Sequence, residues 1–214
     1  IYLNANPANL DTGYIFYNGA GEVLINGEGH TIGGTGRIYV RTHNNGILSP
    51  GRPGSPIGLL NLQGVTDLSF GATGEFHCQL AGSGDANADR ITSSRPITLD
   101  GVCRVSIVPP FVASRDESWT IITAPSITGA FAELAAPPAV NGIGYRLEYF
   151  SNRVVLHAVC YADVNNDGGI DGADVQAFYD LWEAGDPVSD LNNDGGIDGA
   201  DVEVFFELWE GGGC

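Results

Sequence analysis

The sequence predicts a mainly β protein of sandwich or jelly-roll type followed by a small helical module. Three observations carry that expectation. Short runs of alternating apolar residues, separated by Gly and Asn turns, fill residues 21–159. No helical period of useful length occurs before residue 174. The charge also changes abruptly: residues 1–159 hold twelve acids and nine Arg, a balance of −3, whereas residues 160–214 hold fourteen acids and no base, a balance of −14. The expected organisation is an N-terminal arm at 1–20, an all-β domain at 21–159 and a C-terminal module at 160–214.

The arm is polar and Asn-rich, with an aromatic patch at Tyr14-Ile15-Phe16-Tyr17, and reads as an extended arm or first strand. Runs at 22–26, 37–41, 57–62, 74–80, 95–99, 103–108, 119–124, 145–150 and 153–159 then read as strands. Asn-Gly pairs at 18–19, 26–27, 45–46 and 141–142 mark tight turns between them. Past Asp174, Val175, Phe178 and Trp182 fall on one helical face, and Val202, Phe205 and Trp209 repeat that face. Gly185 and Pro187 end the first of these helices.

The acidic module is organised by one stretch written twice. Residues 163–174 and 190–201 are identical at eleven of twelve positions, the exception being Val164 against Leu191. Oxygen side chains stand at positions 1, 3, 5, 9 and 12: Asp163, Asn165, Asp167, Asp171 and Asp174, then Asp190, Asn192, Asp194, Asp198 and Asp201. Gly168 and Gly195 occupy position 6, where the chain must turn sharply, and Gly169 and Gly196 offer a backbone carbonyl at position 7. A hard dication takes six to eight oxygens, and this spacing is the ligand plan of a twelve-residue calcium loop. Two Ca²⁺ ions are therefore expected. Position 12 is Asp, where the EF-hand pattern has Glu.

Charge and hydropathy exclude some partners. A tail of fourteen acids without a base repels nucleic acid, and no run of about 18 apolar residues is present to span a membrane. Four cysteines at 78, 103, 160 and 214, an even count with no CxxC pair, suggest disulfides. Cys78 and Cys103 share the apolar phase of their runs and are expected to pair. Cys160 and Cys214 bracket the repeats, and their bond would stabilise the module by roughly 3–4 kcal/mol through loop closure. Such bonds place the chain in an oxidising, extracellular setting. The absence of Met and of an apolar leader fits a secreted chain whose signal peptide has been removed.

No catalytic constellation is visible. GxSxG, HExxH, a P-loop and a dinucleotide turn between strand and helix are all missing. The four His, at 30, 43, 77 and 157, are scattered, and the β-domain carboxylates show no paired arrangement of the glycosidase kind. The expectation is a non-enzyme. Tyr145, Tyr149 and Phe150 are the tightest candidates for an exposed sugar-binding stripe. No Asn-x-Ser/Thr acceptor occurs.

Two resemblances follow from these residues. Gly46-Ile47-Leu48-Ser49-Pro50-Gly51 with Ile57-Gly58-Leu59-Leu60-Asn61-Leu62 resembles the signature of autotransporter-associated β-repeat proteins. Asp89-Arg90-Ile91-Thr92, Ile97-Thr98-Leu99-Asp100-Gly101, Trp119-Thr120-Ile121-Ile122-Thr123-Ala124 and Gly129-Ala130-Phe131 follow in order. This covers roughly residues 20–158 and implies a non-catalytic passenger or stalk, a short β-helix running into a β-sandwich. The duplicated loop, each copy followed by one helix and with no entering helix, is similar to the dockerin family, where Asp at position 12 is usual. That resemblance implies folding coupled to Ca²⁺ and a cohesin-like or cell-surface partner. The repeats start 27 residues apart, at 163 and 190, and positions 10 and 11 are the small pairs Gly172-Ala173 and Gly199-Ala200.

The expected function is thus a non-catalytic, calcium-braced extracellular structural protein. It would assemble with copies of itself head to tail, as a fibre or cell-surface subunit, through strand exchange by the arm. The alternative is a docking module carrying a carbohydrate-binding β-sandwich of a polysaccharide-degrading system.

Overall fold

The computed structural model describes residues 2–3, 14–15, 23–51, 56–63, 67–137, 139–165, 167–192, 194–211 and 214, with backbone pairing alone for 2–3 and 14–15. Most of the expected arm, including the Asn18-Gly19 turn and the second half of the aromatic patch, lies outside the described residues.

Strand after strand buries every second side chain, as a pleated segment with one apolar face must. In β10 (Glu75–Leu80), Phe76, Cys78 and Leu80 are fully buried while Glu75, His77 and Gln79 face outward. The strands run β1 (Tyr2–Leu3), β2 (Tyr14–Ile15), β3 (Val23–Asn26), β4 (Thr31–Gly34), β5 (Gly36–Ile38), β6 (Arg41–Asn44), β7 (Ile47–Pro50), β8 (Leu59–Leu62), β9 (Leu68–Phe70), then β10. They continue as β11 (Arg90–Ser93), β12 (Ile97–Leu99), β13 (Val102–Ile107), β14 (Ser118–Thr123), β15 (Ile127–Gly129), β16 (Glu133–Ala135), β17 (Ile143–Tyr149) and β18 (Arg153–Cys160).

Successive triplets wind into a β-solenoid-like arrangement. One sheet is ordered β1-β4-β7-β10-β13-β16, a second β17-β18-β14-β11-β8-β5-β2, and a third β15-β12-β9-β6-β3. Neighbours from successive triplets are parallel, for example Phe76 opposite Cys103 and Ile91 opposite Leu60. The core runs up the centre, through Ile38, Leu48, Leu60, Leu62, Phe76, Ile91 and Ile97. Trp119 closes it near the C-terminal end, fully buried with its indole N–H donating to the Gly82 carbonyl at 2.9 Å.

The corners explain how chains this polar turn so tightly. Asn26 and Asn44 stack in register on β3 and β6, both buried. The Asn26 Nδ2 donates to Asn44 Oδ1 at 2.7 Å and to the Ile47 carbonyl at 3.0 Å, and Asn44 Nδ2 donates to the Gly46 carbonyl at 2.9 Å. These amides bind corner carbonyls from the side, and the Gly46 carbonyl also accepts the Glu75 N–H of the next coil at 2.7 Å. Phe70 takes the next rung, opposite Asn44, so the ladder passes from polar to apolar there. Where β12 turns into β13, Gly101 adopts φ +73° and a Cβ would overlap the Gly74 carbonyl oxygen of the coil below, so this corner requires glycine.

At the C-terminal end the winding stops. Asn141 and Gly142 both take positive φ, 53° and 75°, and turn the chain before β17. Then β17 and β18 form an antiparallel hairpin that pairs with β14. A bulge between Thr120 and Ile122 lets both Ile121 and Ile122 point into the core.

Several expectations change here. The mainly β class and the short β-helix are found, as a parallel solenoid-like winding; no sheet-on-sheet sandwich or jelly roll appears among the described residues. The run at 37–41 is not one strand but two, β5 and β6, split by a corner at Tyr39 and Val40. Asn26-Gly27 and Asn45-Gly46 sit at solenoid corners rather than in hairpins. The Cys78–Cys103 bond is also corrected: both are free, fully buried thiols. Register sets Cys78 opposite Val105 and Cys103 opposite Phe76, a diagonal two residues off. Such a diagonal separates the Cα atoms by about 8 Å, beyond disulfide reach.

Among the described residues, Asp89 is the one carboxylate sealed inside the solenoid, at 0% exposure. Its Oδ1 accepts the Gly58 N–H at 2.7 Å and its Oδ2 accepts the Gln79 N–H at 3.1 Å, tying the approach to β8 onto β10. Burial pushes its pKa up to about 8, against the opposing pull of these two N–H donors. The folded state therefore holds this proton more tightly than the unfolded chain. The stabilisation is full below about pH 4, the ordinary carboxylate range, and is lost as pH rises toward 8. Accordingly, the stability of the native chain relative to Asp89→Asn should fall between pH 4 and pH 8, by up to about 1.4 kcal/mol per pH unit. Urea denaturation across that range reads this; a flat difference would contradict burial as the dominant cause.

Candidate metal centre

Each acidic loop folds around its own side-chain oxygens. In the first, Asp163 Oδ1 accepts the Asp167 N–H at 3.1 Å and Oδ2 accepts the Gly168 N–H at 3.0 Å. Asn165 Oδ1 accepts from Asp167 N at 2.8 Å, and Asp167 Oδ1 accepts from Gly169 N at 2.8 Å. The second loop repeats these bonds at Asp190, Asn192 and Asp194, with N–H groups from Asp194, Gly195 and Gly196 at 2.8–3.2 Å. Gly168 and Gly195 take φ +94° and +86°, the sharp turn required at position 6.

Positions 9 and 12 join loop to helix. Asp171 caps α1 (Gly172–Ala184) by accepting the Ala173 N–H, while Asp174 Oδ2 accepts the Asp171 N–H at 2.9 Å, a reciprocal capping box. Asp198 and Asp201 do the same for α2 (Gly199–Glu210). The position-12 carboxylates are fully buried, and their other oxygens reach back across the loop, to Asn165 N at 3.2 Å and to Leu191 N at 2.8 Å. Gly185 ends α1 at φ +66°, as expected.

The two halves lock through an apolar seam. Phe178 and Phe205 stack with centroids 4.3 Å apart and planes 2° from parallel, both buried. Leu191 completes that core, with Val175, Trp182, Val202 and Trp209 packed around it, so the predicted helical faces are observed. Sequence reasoning missed the crossed bonds: Trp182 Nε1–H donates to the Asp198 carbonyl and Trp209 Nε1–H to the Asp171 carbonyl, each at 3.0 Å. Each tryptophan thus holds position 9 of the opposite loop. The signal was available, since both stand eight residues past position 12.

The module is fastened to the solenoid at one end. Cys160, the last residue of β18, lies at disulfide distance from Cys214, with Cα atoms 5.8 Å apart across 54 residues. Tyr161 covers Gly144 of β17 so closely that any Cβ there would enter the ring. Arg115, between β13 and β14, contacts Asp163 through its Nη2. A cleft of about 560 Å³ lies between β16, β17 and the module, with Glu133, Tyr145, Tyr149, Leu181 and Val188 on its walls. Of the three residues read as a sugar-binding stripe, Tyr149 is exposed with its hydroxyl accepting the Phe131 N–H, Tyr145 is buried, and Arg153 covers the Phe150 ring at 3.8 Å.

The donor set is all oxygen, which fits a hard dication and not zinc or another soft metal. Among the described residues, no group of three or more His, Cys, Asp or Glu side chains is drawn together as a metal centre. The loop oxygens are instead engaged by backbone N–H groups. The crowding has a cost: burial, then repulsion by Asp201 and Asp194, raises the Asp190 pKa above the ordinary carboxylate range. The four His stand apart from the loops; His77 pairs with Glu75 at 2.6 Å and His157 with Glu148 at 2.9 Å. No family model matches the chain, and no curated protein matches it.

Two outcomes follow from the seam and its staple. Phe205→Ala should destabilise residues 160–214 by about 3–5 kcal/mol while leaving the solenoid transition in place. Reducing Cys160–Cys214 should cost the module about 4 kcal/mol. Calorimetry resolves both, and a shift in the solenoid transition instead would contradict this division of the chain.

Proposed function

We propose that the chain is a non-catalytic extracellular structural protein whose C-terminal module is braced by two Ca²⁺ ions. The observation that carries this is the pair of twelve-residue oxygen loops made into one folding unit by the crossed tryptophan bonds. Asp163, Asn165, Asp167, Asp171 and Asp174 would hold one ion with the Gly169 carbonyl; Asp190, Asn192, Asp194, Asp198 and Asp201 would hold the other with the Gly196 carbonyl. A bound dication supplies the positive charge that a tail of fourteen acids and no base lacks. The dockerin resemblance supports the same reading. The cysteine pair at disulfide distance suits an oxidising compartment, and no helix among the described residues is long and apolar enough to cross a membrane.

The solenoid supplies length and surface, and assembly with further copies is part of the proposal. Tyr2–Leu3 and Tyr14–Ile15 pair parallel to β4 and β5 of their own chain as outermost strands. At the far end β15 and β16 are the outermost strands of their sheets. An arm that left its own sheets for the next copy would reproduce pairing it already makes, which is the requirement for strand exchange. A cohesin-like receptor is the competing partner for the module.

Chelation should lower the melting temperature of residues 160–214 and spare the solenoid. Saturating calcium at a thousandfold over Kd would contribute about 4 kcal/mol. Asp163→Ala with Asp190→Ala should mimic EDTA. An identical thermal profile with and without EDTA would remove the calcium brace. For assembly, electron microscopy in millimolar calcium should show oligomers that disappear when residues 1–20 are deleted; monomers in both cases would refute it.

A further inference from the structure

The two loops differ by one apolar side chain in sequence but by one cation in space. Arg115 of the solenoid reaches the first-position carboxylate of the first loop, Asp163, through Nη2 at Oδ2. The same oxygen accepts the Gly168 N–H, and the Asp163 side chain is 0% exposed. The equivalent residue of the second loop, Asp190, has the same backbone donors, from Asp194 and Gly195, and no ion pair among the described residues. Nor does any other acid of residues 160–214 pair with a base there; Arg115 is the one solenoid cation brought to the module among the described residues.

We infer that Arg115 serves the first loop as a built-in cation, so that the two loops bind calcium unequally. This rests on the calcium reading above. In the calcium-free chain the guanidinium offsets part of the charge that the first-loop carboxylates share, and keeps that loop seated on the solenoid. When calcium enters, the same fixed charge repels it, since a guanidinium on the far oxygen of Asp163 stays within a few ångströms of a dication held by the near one. The second loop has no such substitute. It binds calcium more tightly. A unit charge about 6 Å from a dication is worth about tenfold in affinity even at the screening of bulk water. The device would make the two sites fill in order, the second loop first, within a module that still folds as one unit.

Calcium titration by calorimetry on the full chain, followed by thermal melting in EDTA, tests this. The native chain should show two affinities at least tenfold apart, and Asp190→Ala should retain only the weaker. Arg115→Gln should strengthen the weaker phase about tenfold and lower the calcium-free melting temperature. Arg115→Lys, which preserves the charge, should leave the two phases separated. Two equal affinities in the native chain, or a weaker phase unmoved in Arg115→Gln, would overturn the role of Arg115 while leaving the calcium brace intact. Absence of calcium binding in every variant would overturn the calcium reading itself, and this inference with it.

Discussion

The face-to-face contact of Phe178 with Phe205, flanked by the crossed Trp182 and Trp209 bonds, is the constraint on which the module depends. Helices of 13 and 12 residues are marginal alone. Their burial is limited to a seam of a few aromatic and aliphatic groups, and each loop carries carboxylates that oppose compaction. Neither half can bury its ring without the other, and neither position-9 carbonyl is held unless the opposite helix is formed. Loop geometry, helix capping and core packing therefore form together or not at all. Under the calcium reading proposed above, a bound cation would relieve the remaining repulsion.

That module also ends the solenoid. A parallel stack has open edges wherever its winding stops, and open edges invite pairing with other chains. Here the antiparallel β17–β18 hairpin ends the parallel winding of one of the three sheets, and the chain continues straight from β18 into the first loop. Cys160 fixes the start of the module to its end, Tyr161 seats it on Gly144, and Arg115 reaches its first carboxylate. The acidic tail is thus held against the solenoid by covalent, steric and electrostatic contacts at one corner. At this end β15, β16 and β17 are the outermost strands of the three sheets.

The candidate site was more legible than the fold that carries it. Ligand spacing is local, so residues 163–174 and 190–201 declare their loops, and the apolar period after Asp174 declares the two helices. The solenoid strands at 75–80 and 102–107 were visible because they alternate. The segment at 31–34, Thr-Ile-Gly-Gly, and that at 41–44, Arg-Thr-His-Asn, were not, since short solenoid strands surrender their ends to corners and bury Gly, Thr and Asn there. Parallel register is a non-local property. Alternation places Cys78 and Cys103 on the same face but does not say that they stand two residues out of line. Arg115 is hidden for the same reason, although the total absence of bases after residue 160 says that any protein cation meeting this tail must come from the first 159 residues.

Hydrogen–deuterium exchange across the whole chain, with and without calcium, tests the central claim most directly, because it reports position and coupling at once. Calcium should slow exchange of the loop amides that close on Asp163 and Asp190 and of both helices together, from 163 to 211, while the solenoid amides of β7 to β14 remain as slow without it. Protection unchanged by calcium in 163–211, or gained by one helix without the other, would contradict a brace that folds the two loops as a unit.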